Sequence, residues 1–277
     1  MTNRGLVLIW CAVITSVTLV VVAMAALTND EVASFDNIPA VPVIAIGSSL
    51  MKHAVPPLGS GTGSLLGDGR AHARLAINGI TEGQTVALLK HVLSNGAKTV
   101  LIEASALAFD SVSRTPTPNQ GIISPDVLMK PFLDLSARVR WYLGAFIRQQ
   151  PRFTQEVKKL DADFSAKPAE VAKNYLRLRS PAHPEALEVA ISIAAANGVD
   201  LILIAPPRSQ LFANVTGPEA TEALHLHFQT IAHQLNLPIF QPSAVWSNEY
   251  FIDAGHMNGR GRARFLDELA QWWARRP

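Results

Sequence analysis

Three side chains in this sequence could together carry nucleophilic acyl chemistry. Ser49 ends the apolar run Ile44-Ala45-Ile46-Gly47-Ser48-Ser49-Leu50, and Asp253 and His256 lie in Phe251-Ile252-Asp253-Ala254-Gly255-His256. A serine hydroxyl is a poor nucleophile until a base takes its proton, and that base needs an acceptor on its other nitrogen to hold the right tautomer. The three-residue spacing lets one turn bring the Asp253 carboxylate against the His256 imidazole, and Gly255 permits a tight backbone path. His53, four residues after Ser49, is a rival base without an orienting acid. Ser48 is the rival nucleophile, and it points away from the cleft if Ser49 points in. The plain alternative is that Asp253 caps a turn and His256 is an ordinary surface histidine.

These residues need a scaffold. Residues 41–46 are rich in valine and isoleucine and read as a buried strand, with Pro39 and Pro42 in a polar tether before it. Helical periodicity over 84–94 stops at Asn95-Gly96, and a strand follows over 99–102. The same unit recurs as a helix over 185–196, a stop at Asn197-Gly198 and a strand over 201–205. A helix over 219–235, a short strand over 238–240 and a final amphipathic helix over 261–273 complete the pattern, the last turning Phe265, Leu266, Leu269 and Trp272 inward. Strands alternating with helices indicate an α/β fold, a three-layer α/β/α sandwich around a mostly parallel central sheet. Such a sheet presents a nucleophile just beyond the carboxyl end of a strand, where Ser49 falls. The alternation lapses over about 110–184, a turn-rich and then helical insertion that reads as a cap beside the site or as surface elaboration.

The chain has 277 residues, a formal net charge of +2 and a single cysteine, Cys11. No dense run of Lys and Arg could track a phosphate backbone, so nucleic acid is not an expected partner. Residues 5–27 are almost entirely apolar, long enough to cross a bilayer, with Arg4 before them and Asp30 and Glu31 after. That charge order sends the remainder out of the cytoplasm. The expected division is a transmembrane signal anchor or signal peptide over 1–28, a tether over 29–40 and a catalytic domain over 41–277. Ala23-Met24-Ala25 has the small-x-small form of a cleavage site, while the length of the apolar run favours an uncleaved anchor. Membrane attachment with a periplasmic domain is the expectation, or secretion if the leader is cleaved.

The Gly47-Ser48-Ser49-Leu50 turn after an apolar strand, paired with Asp253-x-x-His256 near the carboxyl end, resembles the SGNH or GDSL hydrolase superfamily. The stretch Asp253-Ala-Gly-His-Met-Asn258, followed by Gly261 and Phe265, is similar to members acting on cell-surface glycans. The resemblance runs from residue 41 to the end, except for the middle region, and departs from the family where Ser48 replaces the usual aspartate. It implies a Ser49-His256-Asp253 triad and an oxyanion hole that begins with the Ser49 N–H. The family adds a glycine N–H, best matched by Gly79 in Asn78-Gly79-Ile80-Thr81, and an asparagine side chain, at whose position this chain has Ser105. A serine hydroxyl reaches less far than a carboxamide, so Asn78 is an alternative donor.

Arg208, after another expected strand, could bind an acidic sugar or carboxylate, or could be a solvated loop residue. Trp246, Tyr250 and Phe251 could line a sugar site or pack on the final helix. His225, His227 and His233 read as partly exposed helix histidines, and neither a metal nor a nucleotide cofactor is expected, in the absence of a Walker or dinucleotide fingerprint. The leading expectation is an extracytoplasmic serine esterase or O-acyltransferase for O-acylated, in particular acetylated, polysaccharide, working beside a membrane-bound synthesis or export complex. Two alternatives stand beside it: a lipid or small-ester hydrolase, and a non-catalytic glycan-binding or assembly subunit.

Overall fold

The computed structural model describes residues 38, 40–58, 64–77, 80–108, 157, 160, 164 and 184–276. The chain divides into two compact units, Met1–Ile38 and Pro39–Pro277. Apart from Ile38, the first unit lies outside the described residues, and with it the expected anchor; of the expected insertion over about 110–184 only Val157, Leu160, Phe164 and Pro184 are described. Among the described residues no helix is long and apolar enough to cross a membrane.

The second unit is built on a five-stranded parallel sheet. In chain order its elements are β1 (Val43–Gly47), α1 (Ser49–Ala54), β2 (His72–Ala76), α2 (Glu82–Ser94), β3 (Thr99–Glu103) and the single turn α3 (Ser105–Ala108). They continue with α4 (Pro184–Ala196), β4 (Asp200–Ile204), β5 (Arg208–Ser209), α5 (Gln210–Thr216) and α6 (Pro218–Gln234). The last are β6 (Ile239–Phe240), β7 (Val245–Trp246) and α7 (Gly259–Ala274). The strand order is β2-β1-β3-β4-β6, and β5 and β7 form a separate two-stranded parallel pair. Every residue of β1 and β3 is buried, as expected of central strands covered on both faces. On one face Val43, Ala45 and Leu101 pack with Met51 of α1 and with Phe265 and Leu269 of α7. Helices α2 and α4 pack on each other and on β1 and β4, across the other face. The result is the three-layer α/β/α sandwich expected from the alternation.

Local sequence fixes the helix ends. Thr81 and Gln84 form a reciprocal capping box that starts α2 two residues ahead of the sequence expectation. Both expected stops hold, because Gly96 and Gly198 adopt positive φ of 83° and 62° at the turns into β3 and β4. Strand β2 escapes the hydrophobic pattern, since His72 and Arg74 are both buried within it. Arg74 reaches along α1 to donate to the Lys52 and Val55 carbonyls at 2.7 and 2.6 Å, so its charge is met by backbone oxygens rather than water.

The strand order has its reversal at β1, which lies between β2 and β3. The connections through α1 and α2 pack on opposite faces of the sheet there, the arrangement that in open α/β sheets places a crevice beyond the carboxyl ends of the strands.

Candidate active site

Ser49 opens α1 immediately after β1, at that crevice. Ser48 is the N-cap, its hydroxyl accepting the Leu50 N–H at 3.1 Å. The other partner loop lies between Phe251 and Met257, both 1% exposed and joined by an antiparallel bridge. Two buried apolar anchors so close a tight loop, which Ile252 N–H donating to the His256 carbonyl at 2.9 Å narrows further. The buried Ser209 hydroxyl supports it from below, donating to the Ala254 carbonyl at 2.8 Å.

Within the loop, Asp253 Oδ1 accepts the backbone N–H groups of Gly255 and His256 at 2.9 and 2.8 Å. Oδ2 lies 2.8 Å from His256 Nδ1. These carboxylate bonds set the turn, and Gly255 does not take positive φ, so its conformational freedom is not what the turn requires. On the far side of the ring, His256 Nε2 lies 2.9 Å from Ser49 Oγ. With Nδ1–H directed at Asp253, Nε2 is free to accept the serine proton. Burial alone would push the Asp253 carboxyl up. The His256 hydrogen bond and charge and the two amides outweigh it and hold the carboxyl at about 2, below its usual 3.8.

His53 packs against the His256 imidazole, with ring centroids 4.7 Å apart and planes tilted by 45°, and its Nδ1 lies 3.0 Å from the Met257 carbonyl. Burial, with the charges of His256 and Arg262 adding, pushes its imidazole down from 6.5 to about 4. His53 is thus a neutral wall of the His256 pocket. The carboxyl end of α1 is held by two buried arginines, Arg74 as above and Arg262, whose Nε donates to the His53 carbonyl at 2.8 Å.

The other expected site residues are distributed as follows. Ser48 turns away from the crevice, its hydroxyl donating to Glu103 at 2.8 Å. Ser105 sits where the resemblance puts the asparagine, but its hydroxyl also donates to Glu103, so its single proton is directed into the protein rather than toward the crevice. Asn78 and Gly79 lie outside the described residues. Arg208 is 3% exposed and lies over the Phe212 ring, with Nη1 3.6 Å from where a side chain at Gly255 would begin; it is not a solvated loop residue. Trp246 and Phe251 are core residues, and Tyr250 is partly buried against the same core.

Of two further neighbours, the sequence reading weighed His53 only as a rival base and missed Glu103. His53 carried no signal beyond its proximity to Ser49. Glu103 did carry one: a carboxylate that ends the apolar strand Thr99-Val-Leu-Ile-Glu103 must find donors when buried.

The arrangement has the geometry that a hydrolase-type active site requires: a hydroxyl, an imidazole in contact with it, and a carboxylate orienting the imidazole. No protein-family model matches the chain, and no curated protein matches it as a relative. Several solved structures are similar to it. A GDSL-like lipase from Bacteroides thetaiotaomicron is 13% identical, with 89% of this chain and 95% of that chain covered and a TM-score of 0.42. The psychrotrophic esterase EstA from Pseudoalteromonas is 14% identical, with coverages of 85% and 100% and a TM-score of 0.38. A variant of Axe2, an acetyl-xylooligosaccharide esterase from Geobacillus, is 12% identical, with coverages of 84% and 94% and a TM-score of 0.40. The meeting of an early serine with a late Asp-x-x-His block beyond the sheet is the arrangement that the resemblance to the SGNH/GDSL-like hydrolases implies.

Proposed function

We propose that this protein is an extracytoplasmic, membrane-tethered serine esterase or O-acyltransferase acting on O-acylated polysaccharide, with acetyl as the acyl group. The observation that carries the chemistry is the continuous line from Asp253 Oδ2 through His256 to Ser49 Oγ, with both heavy-atom contacts under 3 Å. The outward location is supported by the apolar 5–27 run and its flanking charges, and the glycan substrate by the similarity of the Asp253 to Asn258 block to glycan-active members.

In this reading Ser49 Oγ attacks the ester carbonyl while His256 Nε2 takes its proton, and Asp253 steadies the imidazolium. The tetrahedral oxyanion is met by the Ser49 N–H, which enters no hydrogen bond among the described residues, and by Gly79 or Asn78 from the β2–α2 connection. Collapse breaks the bond to the sugar oxygen, which receives the proton from His256, and leaves an acyl-Ser49 ester. A second hydroxyl then attacks, losing its proton to His256, and Ser49 is released protonated. Water as that acceptor gives deacetylation and a sugar hydroxyl gives transfer.

The test compares the detergent-solubilised full-length protein with its Ser49→Ala and His256→Ala variants on O-acetylated polysaccharide and on a small aryl acetate, following acetate release and acetyl transfer. Both variants are expected to fold and to lose nearly all turnover. Unchanged activity in Ser49→Ala sinks the nucleophile assignment, and activity on the aryl ester alone sinks the polysaccharide assignment.

A further inference from the structure

We propose that Glu103 is a positioning residue for the nucleophile, its buried carboxylate fixing the turn after β1 so that the Ser49 N–H is the first-turn amide left facing the crevice. The inference rests on the acyl-transfer reading above and deepens it.

Glu103 is fully buried at the carboxyl end of β3, beside the end of β1. Its Oε2 accepts the backbone N–H of Ser48 at 2.7 Å and of Met51 at 3.2 Å. The Ser48 hydroxyl lies within reach of both oxygens, at 2.8 and 2.9 Å, and the Ser105 hydroxyl donates to Oε1. All four groups are donors, which suits an acceptor-only carboxylate.

Those bonds divide the amides at the start of α1. A helix leaves its first N–H groups without intrahelical partners. Here the Ser48 and Met51 amides go to Glu103, the Leu50 amide goes to the Ser48 hydroxyl, and Lys52 N–H returns to the Ser48 carbonyl at 3.1 Å. The Ser49 amide alone of this set is not drawn inward. An amide so placed, adjacent to the attacking oxygen, is where oxyanion stabilisation is needed. The sequence leaves room for the arrangement: a side chain at Gly47 would begin 2.6 Å from Glu103 Oε2. Without the carboxylate the turn loses its anchor to β3, and both the direction of Ser49 Oγ toward His256 and the direction of its N–H change together.

Glu103→Gln keeps the shape. Because two backbone amides converge on Oε2, the carboxamide oxygen takes that place and the NH2 faces the Ser48 and Ser105 hydroxyls, weakening charge-assisted bonds without emptying the site. Small misplacements of reacting groups cost on the order of 100-fold in rate. The experiment measures kcat and KM for the aryl acetate, together with the rate and the final stoichiometry of fluorophosphonate labelling, in wild type, Glu103→Gln and, should Gln not fold, Glu103→Asp. The expected result is a fall in kcat and labelling rate of roughly tenfold to a hundredfold, with KM within about twofold and labelling still reaching one per chain. Rates within about threefold of wild type in a folded variant overturn the proposal while leaving Ser49 chemistry standing. A fall in final stoichiometry that matches the loss of activity also overturns it, since that marks lost folded protein. Failure of wild type to label at Ser49 overturns the acyl-transfer reading and this proposal with it.

Discussion

The Asp253 carboxylate has two separable duties, and two substitutions should pull them apart. In Asp253→Asn the Gly255 and His256 amides, both within 2.9 Å of Oδ1, require an acceptor there and so fix the carboxamide oxygen at that position. The NH2 then occupies the Oδ2 position, 2.8 Å from His256 Nδ1, as a donor facing what is now a donor. The imidazole relieves the clash by moving its proton to Nε2, which faces Ser49 Oγ and can no longer accept from it. The corresponding change in a serine protease triad, which leaves the histidine in the wrong tautomer, costs about 10⁴ in turnover. Here the Asp253 side chain is 40% exposed, so water competes for the ring and the expected loss is smaller, about 10² to 10³, or about 3 to 4 kcal/mol of transition-state stabilisation. Asp253→Ala leaves room for water and does not forbid the productive tautomer. It should therefore retain more activity than Asp253→Asn, although it removes more atoms.

Stability should run in the opposite order. With the folded carboxyl at about 2 against 3.8 unfolded, ionisation favours the folded state above pH 4, and that contribution is lost as pH falls from 4 to 2. The full shift corresponds to about 2.5 kcal/mol, and screening at a side chain 40% exposed reduces it to about 1 kcal/mol. Asp253→Asn forfeits that amount but keeps both amide bonds, whereas Asp253→Ala also loses them, a further 1 to 2 kcal/mol or so. Aryl acetate turnover at pH 7.5 and urea unfolding of the same samples give both rankings. An Asn variant more active than the Ala variant, or one retaining over a tenth of wild-type turnover, refutes the tautomer argument.

Two further outcomes follow from groups packed around the site. His53 folds at about 4 from an ordinary 6.5, so the unfolded chain binds the extra proton first; stability should be full above pH 6.5 and fall by up to about 3 kcal/mol as pH drops to 4. His53→Asn removes that titration, and denaturation midpoints that decline as steeply in the variant as in wild type between pH 6.5 and 4 would refute the assignment. Gly47→Ala places a methyl 2.6 Å from both Glu103 Oε2 and Met51 Cβ, and should destabilise by about 1 to 3 kcal/mol while slowing turnover; an unshifted calorimetric transition contradicts the packing.

The extent to which sequence alone reveals this protein follows from how local each determinant is. Helices α2, α4, α6 and α7 are long amphipathic segments with their stops written beside them, so their periodicity and the Asn-Gly pairs locate them to within a residue or two. Strand β2 breaks its own pattern because Arg74 finds the Lys52 and Val55 carbonyls at the end of α1, a tertiary circumstance no window over 72–76 contains. The pair β5 and β7 consists of two-residue strands 37 positions apart, too short to alternate visibly. The site divides the same way. Asp253 and His256 meet within one turn, so spacing sufficed for them, and Ser49 is placed by the general rule for strand ends.

The geometry around that serine depends instead on a contact spanning 55 residues, from Ser48 to Glu103. A glutamate closing an apolar strand invites a search for buried donors, but sequence does not say which donors it finds. Once Glu103 claims the Ser105 proton, the position that resemblance marks for an oxyanion donor is occupied by a residue facing another way. The same carboxylate explains why Ser48 can stand in the place of an acidic residue: the acceptor that orients the turn comes from β3, across the sheet, rather than from the turn itself. A site can thus keep its reacting groups in their expected blocks while exchanging the parts that hold them. On the proposed reading, that exchange makes Glu103, rather than Ser105, the residue on which the efficiency of Ser49 as a nucleophile turns.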